Sequence, residues 1–462
     1  MTWMPRHNSF RFLRTALVLV ALMWGLGSAQ ASWLSPEQVQ AQMQEFRRQT
    51  GVPGVAVAVL QGGQMTVQSL GVSPQARFKV ASVSKSFTAA VILRLADQGK
   101  LDLDRPVTQY VPLVWQDSRG PAVTVRHLLN QTSGLSDGAS GQLLTHTFTP
   151  PAELLADIAA APLSAAAGER FEYANVNYAL LALIAERVSG QSYAELLPSE
   201  VFAPLELGGE VRGDCAETPP QTAQGHTLLL RWAIPATEPH SNCLGSGNVV
   251  ASAADLGRWL QENFSPSSTL LTPVQRRLMQ QPGAAGDYGM GWYRIQQPDL
   301  PPYLGHGGNL VTYATHVVYD PSTQTGLAVL LDTNGPAALL TLNLLRERHG
   351  LPAVPMSSPS FWLDVVLLGL AAVALAWALW AVGRRQRWQA WAVAAPRWRV
   401  GLSLLLPILL LGVMVFAPTL AFTAPLTSWP VVLTLLPSSA GLWVAVAAIL
   451  TGWAARLVFL NR

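Results

Sequence analysis

Ser82 and Lys85 stand three residues apart in the run Phe78-Lys79-Val80-Ala81-Ser82-Val83-Ser84-Lys85-Ser86-Phe87-Thr88. On a helix that spacing puts both side chains on one face. A serine hydroxyl beside a neutral lysine amine is a working nucleophile and base. Lysine usage sharpens the reading. Of the 30 basic residues, Lys79, Lys85 and Lys100 are the lysines and the rest are Arg. Arg keeps its proton in a protein, whereas a desolvated Lys can lose it. So strong a bias keeps Lys where deprotonation is needed, or by chance. Ser-x-x-Lys alone does not decide between the two, and the motifs downstream carry the choice.

Tyr173-Ala174-Asn175 is the second group with chemistry in it. A tyrosine near cations can lose its proton below its usual pKa of about 10. It could then share the base role with Lys85, or return the proton to a leaving group. Asn175 could hydrogen-bond Lys85 or a substrate amide. The third group is His306-Gly307-Gly308-Asn309, where glycines allow close backbone approach. Tyr-x-Asn by itself better suits a structural tyrosine, and a satisfied histidine on a turn is the alternative reading of His306.

Other chemistries find no support. No Gly-x-x-x-x-Gly-Lys-Ser/Thr phosphate loop occurs, and no Gly-x-Ser-x-Gly elbow surrounds Ser82. Asp102 and Asp104 read as a surface turn at a helix exit. With no His or Cys at ligand spacing around Cys215 and Cys243, no metal site is expected, and no organic cofactor is called for. Whether the two cysteines pair is left open by the sequence.

The elements that must position these groups can be placed from periodicity and punctuation. Ser35-Pro36-Glu37 opens a helix through Arg48. Val55–Leu60 and Met65–Leu70 form a hairpin around Gln61-Gly62-Gly63-Gln64. A long helix is expected from Ser82 to Gly99, with others at Pro151–Ala160, Tyr178–Ser189, Ala253–Phe264 and Ala337–Arg348. Thr315–Tyr319 and Gly326–Asp332 read as strands. Strands at both ends with helices between predict an α/β (α+β) layered domain with one antiparallel sheet.

Half of the 462 residues are hydrophobic and 12% are charged, which points to a membrane part. Residues 1–31 read as a secretory signal, with Arg6, Arg11 and Arg14, an apolar run Thr15–Leu26 and an Ala29-Gln30-Ala31 cleavage site; an uncleaved anchor is the alternative. Residues 32–351 form the exported domain and 352–360 a Pro- and Ser-rich linker. Apolar stretches near 361–382, 400–422 and 441–460 are each long enough to span a bilayer. Arg384, Arg385, Arg387, Arg397 and Arg399 fall in the connector between the first two, which places it in the cytoplasm and the exported domain outside. Asp364 is the one acid in the membrane part, and near an interface it reads as solvated. The formal charge of +3 is unevenly shared: residues 32–355 hold 20 Lys and Arg against 26 Asp and Glu, a net of −6. Nucleic acid is not an expected partner.

The motifs in their order resemble the serine β-lactamase and penicillin-binding-protein superfamily, in its class C β-lactamase, DD-peptidase and esterase branch. The resemblance covers roughly residues 35–350. Ser82-Val83-Ser84-Lys85 matches Ser-x-x-Lys, Tyr173-Ala174-Asn175 matches Tyr-x-Asn with Ala174 where Ser is commoner, and His306-Gly307-Gly308 sits where the family has Lys-Thr-Gly or His-x-Gly. Supporting marks are His127–Leu135, with Gln131 in place of a histidine, Tyr288-Gly289-Met290-Gly291-Trp292, Gly245-Ser246-Gly247 and Ser252–Leu256; these read as turns, caps and packing.

The resemblance implies Ser82 as nucleophile, Lys85 with Tyr173 as base, and the Ser82 and Asn309 N–H groups as the oxyanion hole. It further implies that Asn175, His306, Gly307 and Gly308 line the substrate, with His306 orienting the tyrosine and, when protonated, meeting a substrate carboxylate. The expected partners are a small peptide, β-lactam or ester substrate and the lipid bilayer. The activity implied is that of a membrane-anchored extracytoplasmic serine hydrolase working through an acyl-enzyme. The alternative is a degenerate cell-wall or β-lactam binding and sensing membrane protein.

Overall fold

A computed structural model describes residues 33–136, 151–266, 268–356 and 359–396, with 447, 448 and 450. Ser35 caps the first helix, α1 (Pro36–Thr50), in a capping box with Gln38, and Gly51 ends it in the left-handed conformation. The hairpin follows as β1 (Val55–Gln61) and β2 (Gln64–Leu70). β3 (Arg77–Lys79) leads into a 3-10 turn, Ala81–Val83, and helix α2 (Ser84–Asp97). Then come α3 (Val125–Leu129), α4 (Pro151–Ala160), α5 (Asn175–Ser189) and α6 (Tyr193–Leu197). Short strands β4 (Glu210–Val211), β5 (His226–Leu229), β6 (Trp232–Pro235) and β7 (Val249–Ser252) precede α7 (Ala253–Phe264) and α8 (Pro273–Gln280). The chain closes the domain with β8 (Tyr293–Ile295), β9 (Tyr303–Asn309), β10 (Ala314–Asp320), β11 (Thr325–Leu331) and α9 (Ala337–Arg348). Helices α10 (Pro359–Gly383) and α11 (Arg385–Ala394) come last.

The main sheet runs β2-β1-β11-β10-β9-β8, antiparallel throughout. β1 and β11 are buried along their whole length, which is why Val-Ala-Val-Ala-Val-Leu is apolar on both faces. One face packs on α1 and α9 through Val55, Val57, Phe46, Leu340 and Leu344. The other packs on α2, α5 and α7 through Ala56, Ala58, Phe87, Leu180 and Trp259. Trp259 stacks on Phe87 at 4.3 Å between centroids, a contact worth about 0.5–1.5 kcal/mol beyond its burial. α2 is buried almost all round, Ser84, Lys85, Ser86 and Thr88 included, so these polar side chains must find partners inside the protein.

The α+β architecture expected from the sequence is present, with two differences. Besides the main sheet there are a three-stranded sheet, β3-β7-β4, and the β5-β6 ribbon. Strands of two to four residues are too short for an alternating pattern to announce them. And the helix predicted from Ser82 begins as an α-helix at Ser84, with Ser82 in the 3-10 turn.

Cys215 and Cys243 form a disulfide. α10 holds a 23-residue apolar stretch, Phe361–Gly383, long enough to cross a membrane, and it is the single such helix among the described residues. The signal-like segment 1–31 and the stretch near 400–422 lie outside the described residues, as does that near 441–460 but for 447, 448 and 450. Asp364 differs from expectation: it is 1% exposed, and its carboxylate accepts from the Leu230 N–H at 2.6 Å. A backbone donor, where the sequence suggested water, satisfies it.

Candidate active site

Ala81 holds φ at 52° immediately before Ser82, a left-handed conformation that costs a non-glycine residue about 1–3 kcal/mol. The kink turns the chain from β3 into α2 and sets Ser82 above the first turn of the helix. Val249 N–H donates to Ser84 Oγ at 3.0 Å, and Trp259 Nε1–H donates to Ser86 Oγ at 2.8 Å. The two serines beside Lys85 therefore tie α2 to β7 and α7.

Lys85 is fully buried, and its Nζ lies 3.0 Å from Ser82 Oγ, 2.7 Å from Asn175 Oδ1 and 2.9 Å from the Ser246 carbonyl oxygen. Asn175 Oδ1 and Ser246 O can only accept. Ser82 Oγ can accept or donate. A neutral amine that gives its two N–H groups to Asn175 and Ser246 thus aims its lone pair at the Ser82 hydroxyl. The Tyr173 ring centroid lies 4.9 Å from Lys85 Nζ, and that of Tyr178 5.8 Å.

The Tyr-x-Asn segment is held from below. Gln131 Oε1 accepts from Ala174 N–H at 3.0 Å and from Asn177 Nδ2, and the Gln131 carbonyl accepts from Glu172 N–H at 2.9 Å. Ser133 Oγ donates to Asn177 Oδ1 at 2.6 Å. Gln131 itself sits at φ 58°. The 127–135 motif is therefore the cradle of Tyr173 and Asn175, a role beyond packing that its sequence did not announce. Ser246 is placed by a different clasp: Cys243 O accepts from Gly247 N–H at 2.8 Å and Ser246 N–H at 3.1 Å, and the disulfide ties Cys243 to Cys215.

β9 forms the opposite wall. Gly308 lies against the nucleophile turn so closely that a Cβ there would stand 2.3 Å from Val80 O and 3.1 Å from Ser82 N. The close approach expected of this glycine is to the chain itself. Gly307 faces the other side of the strand, where a Cβ would meet only the His316 ring at 3.5 Å. Asn309 ends the strand, exposed.

His306 is 2% exposed. Its Nδ1 lies 2.6 Å from Gly307 O and its Nε2 3.1 Å from the Tyr288 hydroxyl. Nδ1–H donates to the carbonyl, so Nε2 accepts from Tyr288. Burial pushes the imidazole pKa down to about 3, and Lys85 adds to the fall whenever it is protonated. Two features differ from the roles that the resemblance implies for His306. The tyrosine bonded to His306 is Tyr288, with the Tyr173 ring 6.2 Å away. And a pKa lowered in this way favours the neutral imidazole over a cation that could meet a carboxylate. Tyr288 belongs to the Tyr288–Trp292 motif, whose Gly291 (φ 84°) packs on α2 where a Cβ would stand 2.5 Å from Ser86 Cα. Among the described residues no group of three or more His, Cys, Asp or Glu could hold a metal.

Comparison with known proteins gives a consistent picture. The Beta-lactamase family model matches residues 39–350. Protein flp of Staphylococcus aureus is 25% identical over 320 residues, which are 65% of this chain and 64% of that protein; the chain thus spans less than two thirds of that relative. The D-alanyl-D-alanine-carboxypeptidase/endopeptidase AmpH of Escherichia coli is 26% identical over 316 residues, 61% of this chain and 80% of that one. The octameric penicillin-binding protein homologue from Pyrococcus abyssi superposes with a TM-score of 0.60 at 24% identity, covering 73% of this chain and 82% of that one. The beta-lactamase/D-alanine carboxypeptidase from Pseudomonas syringae gives 0.56 at 20%, covering 69% and 98%. At those identities the two structures speak to the fold alone.

Proposed function

The chain belongs to the beta-lactamase family, and on that premise we propose that it is a serine hydrolase cleaving an amide or ester through an acyl-enzyme, with Ser82 as nucleophile and Lys85 as base. The observation that carries the reading is the Lys85 environment, two pure acceptors and one hydroxyl within 3.0 Å of Nζ. Lys85 takes the Ser82 proton as Oγ attacks the carbonyl carbon. The oxyanion is met by the backbone N–H groups of Ser82 and Asn309. Collapse expels the amine or alcohol, which regains a proton from the Lys85 ammonium directly or across the Tyr173 hydroxyl. Water then attacks the ester along the reverse route. Asn175 holds Lys85 and contacts the substrate with Gly307 and Gly308. His306 acts through Tyr288 as a neutral positioning group.

The name of AmpH favours a small D-alanyl peptide as the substrate, with a β-lactam or related ester as the alternative acyl donor. Residues 32–351 form the catalytic domain outside the cytoplasm, residues 1–31 a secretory signal, and the region from 361 a membrane anchor reached through 352–360. The apolar stretch Phe361–Gly383 and the disulfide, at home in an oxidising compartment, support this arrangement. The test is intact-mass spectrometry of the full chain in detergent after a fluorophosphonate and, separately, a penicillin, with Ser82→Ala as control. A serine-dependent adduct is expected with the fluorophosphonate. The lifetime of the penicillin adduct sorts slow from fast deacylation. No adduct with either probe on folded protein would overturn the reading in favour of a non-catalytic binding protein.

A further inference from the structure

The β5-β6 ribbon takes no part in the chemistry above. It pairs Leu229 with Trp232 and Thr227 with Ile234 around the turn Leu230-Arg231. Side chains alternate along a strand, so Trp232 and Ile234 share a face, and they are 74% and 40% exposed. Adjacent exposed apolar side chains on one strand face can mark a contact surface.

The ribbon's tip is tied to the start of α10. Leu230 N–H donates to the buried Asp364 carboxylate at 2.6 Å, and the Arg231 guanidinium lies 4.9 Å from the Phe361 ring centroid. On the domain side the Arg231 backbone presses on Gly51, where a Cβ would stand 2.4 Å from Arg231 O. Leu230 keeps φ at 58°, a conformation unfavourable for leucine that these contacts hold in place. Trp362, one residue beyond Phe361, is 64% exposed. Two exposed tryptophans thus flank the Arg231–Phe361 contact in sequence, where the apolar helix begins, and Trp with Arg is the composition of a membrane–water interface.

We propose that the β5-β6 ribbon docks in the headgroup region of a phospholipid bilayer, with Trp232 and Ile234 inserted beside the point where α10 enters. The proposal rests on α10 spanning the membrane. It goes beyond anchoring, because it fixes the domain's orientation. The ribbon's base joins the sheet through His226 N–H to Asp332 O at 2.8 Å. Gly225 packs there on Thr312, three residues past Asn309, with room for no Cβ (2.6 Å to Oγ1). The ribbon thus projects from the end of the sheet at which β9 delivers Asn309.

The test is nitroxide labelling of the full chain in phosphatidylethanolamine–phosphatidylglycerol vesicles, with no reductant so that the disulfide stays closed. Single labels go on Ile234→Cys, Trp232→Cys, Val373→Cys in α10 and Val114→Cys as an aqueous reference. Relaxation by oxygen is compared with relaxation by a water-soluble nickel chelate. Docking predicts an oxygen-to-nickel ratio several-fold above that of Val114→Cys at positions 232, 234 and 373. A raised ratio at 373 with 232 and 234 both matching the reference would overturn the docking and leave the span intact. A reference-like ratio at 373 would overturn the span and the docking together.

Discussion

Lys85 Nζ sits 2.7 Å from Asn175 Oδ1, a neutral amide acceptor, which suits the base role proposed for the lysine. A neutral acceptor orients the amine without stabilising its protonated form as a carboxylate would. Asn175→Asp should therefore raise the Lys85 pKa and shift the acidic limb of the acylation-rate profile to higher pH, by about 1–3 pH units. Lys85→Arg puts a permanent cation where the neutral amine must stand, and should slow fluorophosphonate acylation by about 10²–10⁴-fold. An unshifted profile in the first variant, or acylation near the parent rate in the second, would remove Lys85 from the base role.

Gly308→Ala tests the contact between β9 and the nucleophile turn. The added methyl meets backbone, Val80 O at 2.3 Å, with no flexible side chain to yield. Strand and turn must part, at a cost of about 1–3 kcal/mol, and Asn309 moves away from Ser82. A fall in thermal midpoint together with slower acylation is expected. Gly307→Ala, facing a contact at 3.5 Å, should leave the thermal midpoint nearly unchanged. Thermal scans and labelling rates of the two variants check the contrast.

What could be read in the chain and what could not divides along physical lines. The Lys85 pairing was legible because so few lysines compete with it, and the structure accounts for the others: Lys100 is exposed, and Lys79 is buried, donating to Cys215 O at 2.6 Å. The helices Pro151–Ala160, Ala253–Phe264 and Ala337–Arg348 were placed at their observed ends, since Pro at the start of the first and Ser252 ahead of the second are local signals. α5 starts at Asn175, three residues before the expected Tyr178, because Tyr173-Ala174-Asn175 leaves its extended stretch only where Gln131 holds Ala174. The clasp of Ser246 by Cys243, the Tyr288–His306 pair and the Leu230–Asp364 bond join residues 3, 18 and 134 positions apart. Local periodicity carries no trace of the two longer ones, and the first depends on a turn that no pattern of apolar residues encodes.

The disulfide offers a third prediction, because the turn it anchors also supplies a partner of Lys85. Cys215 and Cys243 are 28 residues apart, and opening a loop of that size costs about 2–4 kcal/mol. With Cys243 released, the Ser246 carbonyl loses its fixed place 2.9 Å from Lys85 Nζ. Cys215→Ala/Cys243→Ala should melt lower and acylate more slowly than the parent, and reductant should affect the parent alone. Equal acylation rates at a temperature where both proteins are folded would show that the turn holds its carbonyl without the bond.

His306 makes the last prediction, and it turns on sign. In the folded protein its pKa is pushed down to about 3 by burial and then by Lys85, against about 6.5 in the unfolded chain. Between those values the unfolded chain binds the extra proton, so His306 subtracts stability as pH falls, at about 1.4 kcal/mol per pH unit. Asp332, raised to about 7 by burial, and Glu238, also raised by burial, act in the opposite sense over part of the same range, so the pH dependence of the parent alone is ambiguous. The difference between parent and His306→Gln is not, because the two carboxylates are common to both. Glutamine loses the bond to Tyr288 and should destabilise at pH 7. That deficit should shrink steadily as pH is lowered from 6.5 towards 4, since the variant has no imidazole to protonate on unfolding. Thermal midpoints of both proteins across this range are the measurement. A deficit that stays constant or widens on acidification would mean that His306 carries its proton in the folded state, and would restore it as a cation available to a substrate carboxylate.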